Sequence, residues 1–180
     1  MISMNIVFYL FIFLFALIGA MRGWAKEMLV IFSVVLALAF ITVIETLIPF
    51  LGSYVTNNPT VQFNFRVITV IVIVFFGYQS PRFARISSVV ERRDRIQDVL
   101  LGVILGAVSG FMIVGTIWFF ANEASYPFIS DFVVMPGNQV PGGENSSRLI
   151  KMLPPVWLAK SPNIFIAVVA AFVLVIAVFV

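Results

Sequence analysis

The chain has 180 residues, of which 62% are apolar and only 11% charged, and its mean hydropathy is +1.12. A soluble domain carries about 25% charged residues, so this chain lacks the polar surface to stay in water, and its length fits one domain. It has no cysteine and no histidine, which excludes disulfides, thiol nucleophiles, the common zinc sites and the usual neutral-pH general base.

Met1 to Met21 is uncharged and strongly apolar and lacks the positive n-region of a secretory signal. About 20 such residues cross a hydrocarbon layer of ~30 Å, so the stretch reads as a retained transmembrane helix rather than a cleaved signal. Arg22-Gly23-Trp24-Ala25-Lys26-Glu27 follows as a short polar connection. Gly23 permits a tight reversal, and Trp24 suits the headgroup region. Arg22 at one helix end and Glu27 at the next helix start both agree with the helix dipoles.

A second span runs from Met28 to about Ile48, interrupted only by Glu45. Pro49, Gly52, Asn57, Asn58 and Pro59 mark a loop. The third span, Val67 to Pro81, is short and must recruit Phe63 and Phe65, with Arg66 snorkelling outward. Its run VITVIVIV is rich in β-branched residues and resembles a buried strand. An isolated strand leaves its backbone groups unpaired in lipid, so a helix is expected. Glu45 and Arg66 fall at comparable depth on adjacent spans, which predicts that they pair.

Arg82 to Asp98 contains Arg82, Arg85, Arg92, Arg93 and Arg95 among three acids. It reads as an amphipathic helix at the headgroups, serving as a topology signal or as a surface for anionic lipid or a partner. The uncharged run Val99 to Asn122 follows, with Gly102, Gly106 and Gly110 every four residues. On a helix these glycines form one stripe against which a second backbone can pack closely.

Residues 123–162 hold six prolines and the turn-rich string MPGNQVPGGENSS, so they read as a loop with a short interfacial segment, SSRLIKMLPPVWLAK. Ser161 to Val180 is uncharged and forms a fifth span. The expected fold is therefore an all-α, polytopic membrane bundle: a four-helix core over 1–122, the loop over 123–162 and a C-terminal helix over 163–180. Orientation follows from basic residues at the span ends. With the N-terminus outside, the inner side carries seven of the 11 lysines and arginines: Arg22, Lys26, Arg82, Arg85, Arg92, Arg93 and Arg95. Arg66, Arg148, Lys151 and Lys160 lie outside, and the C-terminus lies inside. This placement accounts for the net charge of +3 without nucleic acid.

The start of the chain, Gly19-Ala20-Met21-Arg22-Gly23-Trp24-Ala25-Lys26-Glu27, resembles the colicin V production protein (CvpA) family of bacterial inner-membrane proteins. That family opens with an apolar helix running into a Gly-x-x-Arg-Gly-x-x-x-Glu turn. Its second hallmark, Leu-Gly-x-x-x-Gly-x-x-x-Gly, matches Leu101 through Gly110, and SSRLIKMLPP is similar to a segment found after that helix. The resemblance covers most of residues 1–155. Two departures stand out: Asp98-Val99 where many relatives have Asp-Arg, and Ser109 where a basic residue often precedes the last glycine. The usual family core has four spans, so the last helix is additional. The resemblance implies the bacterial inner membrane and a link to secretion and envelope homeostasis, with no settled biochemical activity.

The chain carries no Gly-x-Ser-x-Gly elbow, no Walker A loop and no dinucleotide glycine pattern, and without histidine it holds no Ser-His-Asp set. The expectation is a non-enzymatic structural or accessory protein, without cofactor or metal, that works with a membrane-protein partner or as a homo-oligomer. The alternative is a small oligomeric transporter or channel, suggested by Glu45 and Arg66 near the spans.

Overall fold

The computed structural model describes residues 2–47, 58–79, 95–127, 133–134 and 143–179. Helix α1 (Met4–Arg22) is apolar on every face and ends where Gly23 takes a positive φ of 84°. The Gly23 amide donates to Gly19 O at 2.9 Å, and α2 (Trp24–Leu47) begins at the very next residue. The polar connection expected over Arg22 to Glu27 is thus a single glycine, and Lys26 and Glu27 already belong to the first turn of α2. A left-handed backbone is cheap only for glycine, so this one residue sets the hairpin.

Three hydroxyls inside α2 donate to the carbonyl four residues earlier: Ser33 to Leu29 at 2.7 Å, Thr42 to Leu38 at 2.9 Å and Thr46 to Thr42 at 2.6 Å. Such back-bonding satisfies polar side chains where no water is at hand. Helix α3 (Pro59–Tyr78) starts earlier than the sequence suggests. Asn58 caps it, its Oδ1 accepting from the amides of Thr60 and Val61 at 3.1 and 3.4 Å, with Pro59 in the first turn. The residues read as loop are therefore a helix start, and an effective one. The β-branched run is helical, as expected, with Val70 and Val74 buried one turn apart.

Helix α4 (Arg95–Glu123) is the longest among the described residues, at 29 residues. Beyond it, the stretch expected to be loop contains two helices, α5 (Gly143–Ile150) and α6 (Pro154–Leu158). Ile150, Leu153 and Leu158 are buried against the bundle, so this segment packs on protein rather than lying only on lipid. The hydroxyl of Ser146 donates to Asn5 Oδ1 at 2.9 Å, docking α5 on α1. A two-residue parallel pairing, Ile2–Ser3 with Val133–Val134, adds a tie at the same end.

Helix α7 (Asn163–Phe179) has 17 residues, short for a crossing on its own. It reaches spanning length only together with Asn145–Leu158, across a 74° bend. The described residues therefore contain four helices long and apolar enough to cross a membrane, or five with that bent pair. The chain has the form of a multi-pass, all-α membrane bundle.

Packing does not follow chain order. The most extensive helix pairing joins α1 to α4, while α2 packs against α3, α4 and α7. Val30, Val34, Leu38, Val70, Val74, Met112 and Ile113 form the central core, and Ile164 of α7 inserts beside them. A second cluster at the amino-terminal end gathers Phe8, Trp118, Tyr126, Ile150 and Leu153. Ile6, Phe13 and Leu17 on α1, Ile68, Phe75 and Phe76 on α3, and Ile166 and Val173 on α7 face outward. Apolar surface on this scale is foreign to water-soluble monomers and is covered by lipid in a bilayer.

Candidate functional site

Three arrangements bring together the residues singled out in the sequence. The first is the glycine seam. A Cβ on Gly102 would lie 2.4 Å from Gly19 O, one on Gly106 would lie 2.9 Å from Gly19 Cα, and one on Gly110 would fall 2.6 Å from Phe15 Cβ. The stripe on α4 therefore packs directly on the α1 backbone at Ile12, Phe15 and Gly19. Gly19, which the sequence assigns to the turn motif, is the reciprocal half of this contact: its own Cβ would meet Gly102 O at 2.2 Å. A comparable approach joins α2 and α3 at Gly77, where a Cβ would fall 2.0 Å from Ser33 Oγ. Sequence reading missed that glycine because it stands alone, without a repeat.

The second arrangement is built on Glu27. Its side chain is fully buried, where its place in a first helical turn reads only as a helix-dipole partner. Arg22 Nη1 donates to Glu27 Oε1 at 2.9 Å, and Ser109 Oγ donates to Glu27 Oε2 at 2.7 Å. Gly106 O lies 2.9 Å from the same hydroxyl, but the carboxylate is the stronger acceptor for its single proton. Arg22 also donates to Tyr78 O at 3.0 Å and lies 4.2 Å from the centre of the Tyr78 ring. One carboxylate thus links the α1–α2 hairpin, the glycine helix α4 and the end of α3. Lys26 of the same motif is exposed.

The third arrangement lies toward the other end of α2 and α3, beside the last residue of α4. Arg66 donates through Nε to Glu45 Oε1 at 2.7 Å and through Nη2 to Glu45 Oε2 at 3.0 Å, a two-pronged contact. Its Nη1 donates to Glu123 as well, and Phe120 packs its ring beneath the guanidinium at 5.1 Å. The guanidinium serves two carboxylates. Glu123, the third member, was hidden in the sequence because it stands at the start of the presumed loop.

Beside this triad the chain leaves α4 through two left-handed residues, Ser125 and Tyr126. Tyr126 is buried and its hydroxyl accepts from Trp118 Nε1 at 3.0 Å. Burial pushes its phenol above the ordinary value of 10.0, against the opposing effect of the Trp118 hydrogen bond.

Arg82, Arg85, Arg92 and Arg93 of the expected basic segment lie outside the described residues. Arg95 opens α4, and its side chain lies outside the described residues too. No protein-family model matches the chain, and neither the curated proteins nor the solved structures contain a significant match.

Proposed function

We propose that this chain is a non-enzymatic, multi-pass protein of the bacterial inner membrane, with its N-terminus outside and its C-terminus inside. In this reading it acts as a structural or accessory subunit in envelope homeostasis or secretion, alongside a membrane-protein partner or a second copy of itself. One observation carries the reading. The charged side chains knot the helices together at two ends, and the interior between the knots is filled with valine, leucine, isoleucine and methionine. Both oxygens of Glu27 are engaged by the protein itself.

The resemblance to the CvpA family supports the compartment and the envelope role. At the position where relatives often have a base, Ser109 supplies the second bond to Glu27, so the two family motifs meet at one carboxylate. A second reading, a small oligomeric transporter or channel, is favoured by the burial of Glu27 itself, since ionisable groups inside membranes often mark solute or proton paths. Reconstitution into liposomes with a panel of ion and solute fluxes separates the two. The accessory reading expects fluxes equal to protein-free vesicles. A flux that Glu27→Gln abolishes, with the bundle still folded, overturns it.

A further inference from the structure

A groove of about 460 Å³ lies between the first turns of α1 and helix α5. Its apolar walls are Ile6 and Tyr9 from α1 and Met152, all more than half exposed. Its polar groups are Asn5, Asn145 and Arg148. The Asn5 oxygen already accepts from Ser146, the bond that holds α5 in place. Asn145 and Arg148 are three residues apart on one face of α5, and both are exposed. No carboxylate among the described residues pairs with Arg148.

The chemistry is graded along one direction. Asn5 is the second residue of α1, so the polar end of the groove sits where a spanning helix leaves the hydrocarbon. The apolar wall of Ile6 and Tyr9 continues from there toward the bilayer interior. A guanidinium with no carboxylate partner among the described residues, beside a carboxamide, suits a phosphate oxygen pair, for which arginine's planar fork is the better donor. We infer that this groove holds one anionic phospholipid. Its headgroup phosphate sits on Arg148 and Asn145, and one acyl chain runs along Ile6 and Tyr9. The bound lipid then bridges α1 and α5, sealing the docked segment to the bundle. The inference rests on the bilayer setting and not on the accessory role.

The test uses the full chain reconstituted in phosphatidylcholine vesicles containing trace spin-labelled phosphatidylglycerol or spin-labelled phosphatidylcholine. The immobilised fraction of each probe is read by electron paramagnetic resonance. Wild type is expected to retain phosphatidylglycerol preferentially, and Arg148→Gln to lose about fivefold of that preference, the usual weight of one basic residue near a headgroup. Lys151→Gln, at an exposed site outside the groove, is expected to keep the preference. Inorganic phosphate at tens of millimolar is expected not to displace the lipid, because the acyl chain contributes to binding. Equal retention of both probes by wild type overturns the site. So does an equal loss in Arg148→Gln and Lys151→Gln, which marks diffuse surface charge. Displacement by free phosphate overturns it in favour of a simple anion site, and a second copy of the chain cross-linked through Tyr9→Cys does so in favour of a protein occupant.

Discussion

Replacing Gly106 with alanine tests the seam with a single methyl group. The added Cβ falls 2.4 Å from Phe15 O and 2.9 Å from Gly19 Cα, whereas ordinary contact begins at 3.4 Å. Both obstacles are backbone atoms of α1, so no side-chain rotation relieves them. The helices must part by about 1 Å, and a gap of that size forfeits about a quarter to a half of each close contact's attraction. Overpacking of this kind costs about 1–3 kcal/mol, and Gly106→Leu is expected at or above the top of that range. Val103→Leu is the control: it lies on the same helix, its side chain is 36% exposed, and a change within about 0.5 kcal/mol is expected. The assay is reversible unfolding of the purified protein in mixed micelles by increasing SDS, followed by tryptophan fluorescence. Trp118 is buried 5.2 Å from Phe8 of α1, so it reports separation of α1 from α4. If Gly106→Ala and Val103→Leu unfold at the same SDS fraction, the reasoning fails.

Three further outcomes are expected. Glu27→Ala leaves Arg22 and Ser109 without their shared acceptor and should destabilise by about 3 kcal/mol. Glu27→Gln keeps an oxygen in place and should cost less in the same SDS titration, and equal costs would refute the buried-pair account. Because Arg66 serves both Glu45 and Glu123, Arg66→Gln should cost more than Glu45→Gln, and the Glu45→Gln/Arg66→Gln double variant should lose less than the sum of the two. Strict additivity would show that each charge is solvated independently. In this cysteine-free chain, Asn138→Cys should react with an impermeant thiol reagent in intact cells and Ser88→Cys should not, and the reverse pattern inverts the proposed topology.

The sequence displayed features whose physics is local. Long uncharged runs give spans because lipid tolerates little else, and Gly23 reads as a hinge because only glycine takes its backbone angle cheaply. The glycine stripe was legible as a packing face, but not its partner. A flat groove admits any helix, and the choice of α1 is made by Gly19, which sits in another motif. Glu45 and Arg66 were matched by counting depth from the span ends, an argument that works because lipid orders residues along one axis. Glu27 was legible as a helix-start residue of the turn motif but its burial was not, because burial is a property of the assembled bundle: a carboxylate in a first turn looks the same whether it meets water or Arg22. Gly143 to Ser147 read as turn on local propensity, which docking through Ser146 and Asn5 overrides.

The pairing of α1 with α4 also has a consequence for biogenesis. Gly19 meets Gly102, about 80 residues later in the chain. At a synthesis rate of about 5–20 residues per second, the first helix waits roughly 4–16 s for its principal partner. Throughout that interval its glycine-bearing face is open to the bilayer and to any other helix that can approach closely. The nascent protein therefore depends on the insertion machinery, or on lipid alone, to keep that face unoccupied until the ribosome delivers the match. A ribosome stalled before Gly102 would release the first three helices with that face of α1 still unpaired, a ready substrate for membrane quality control.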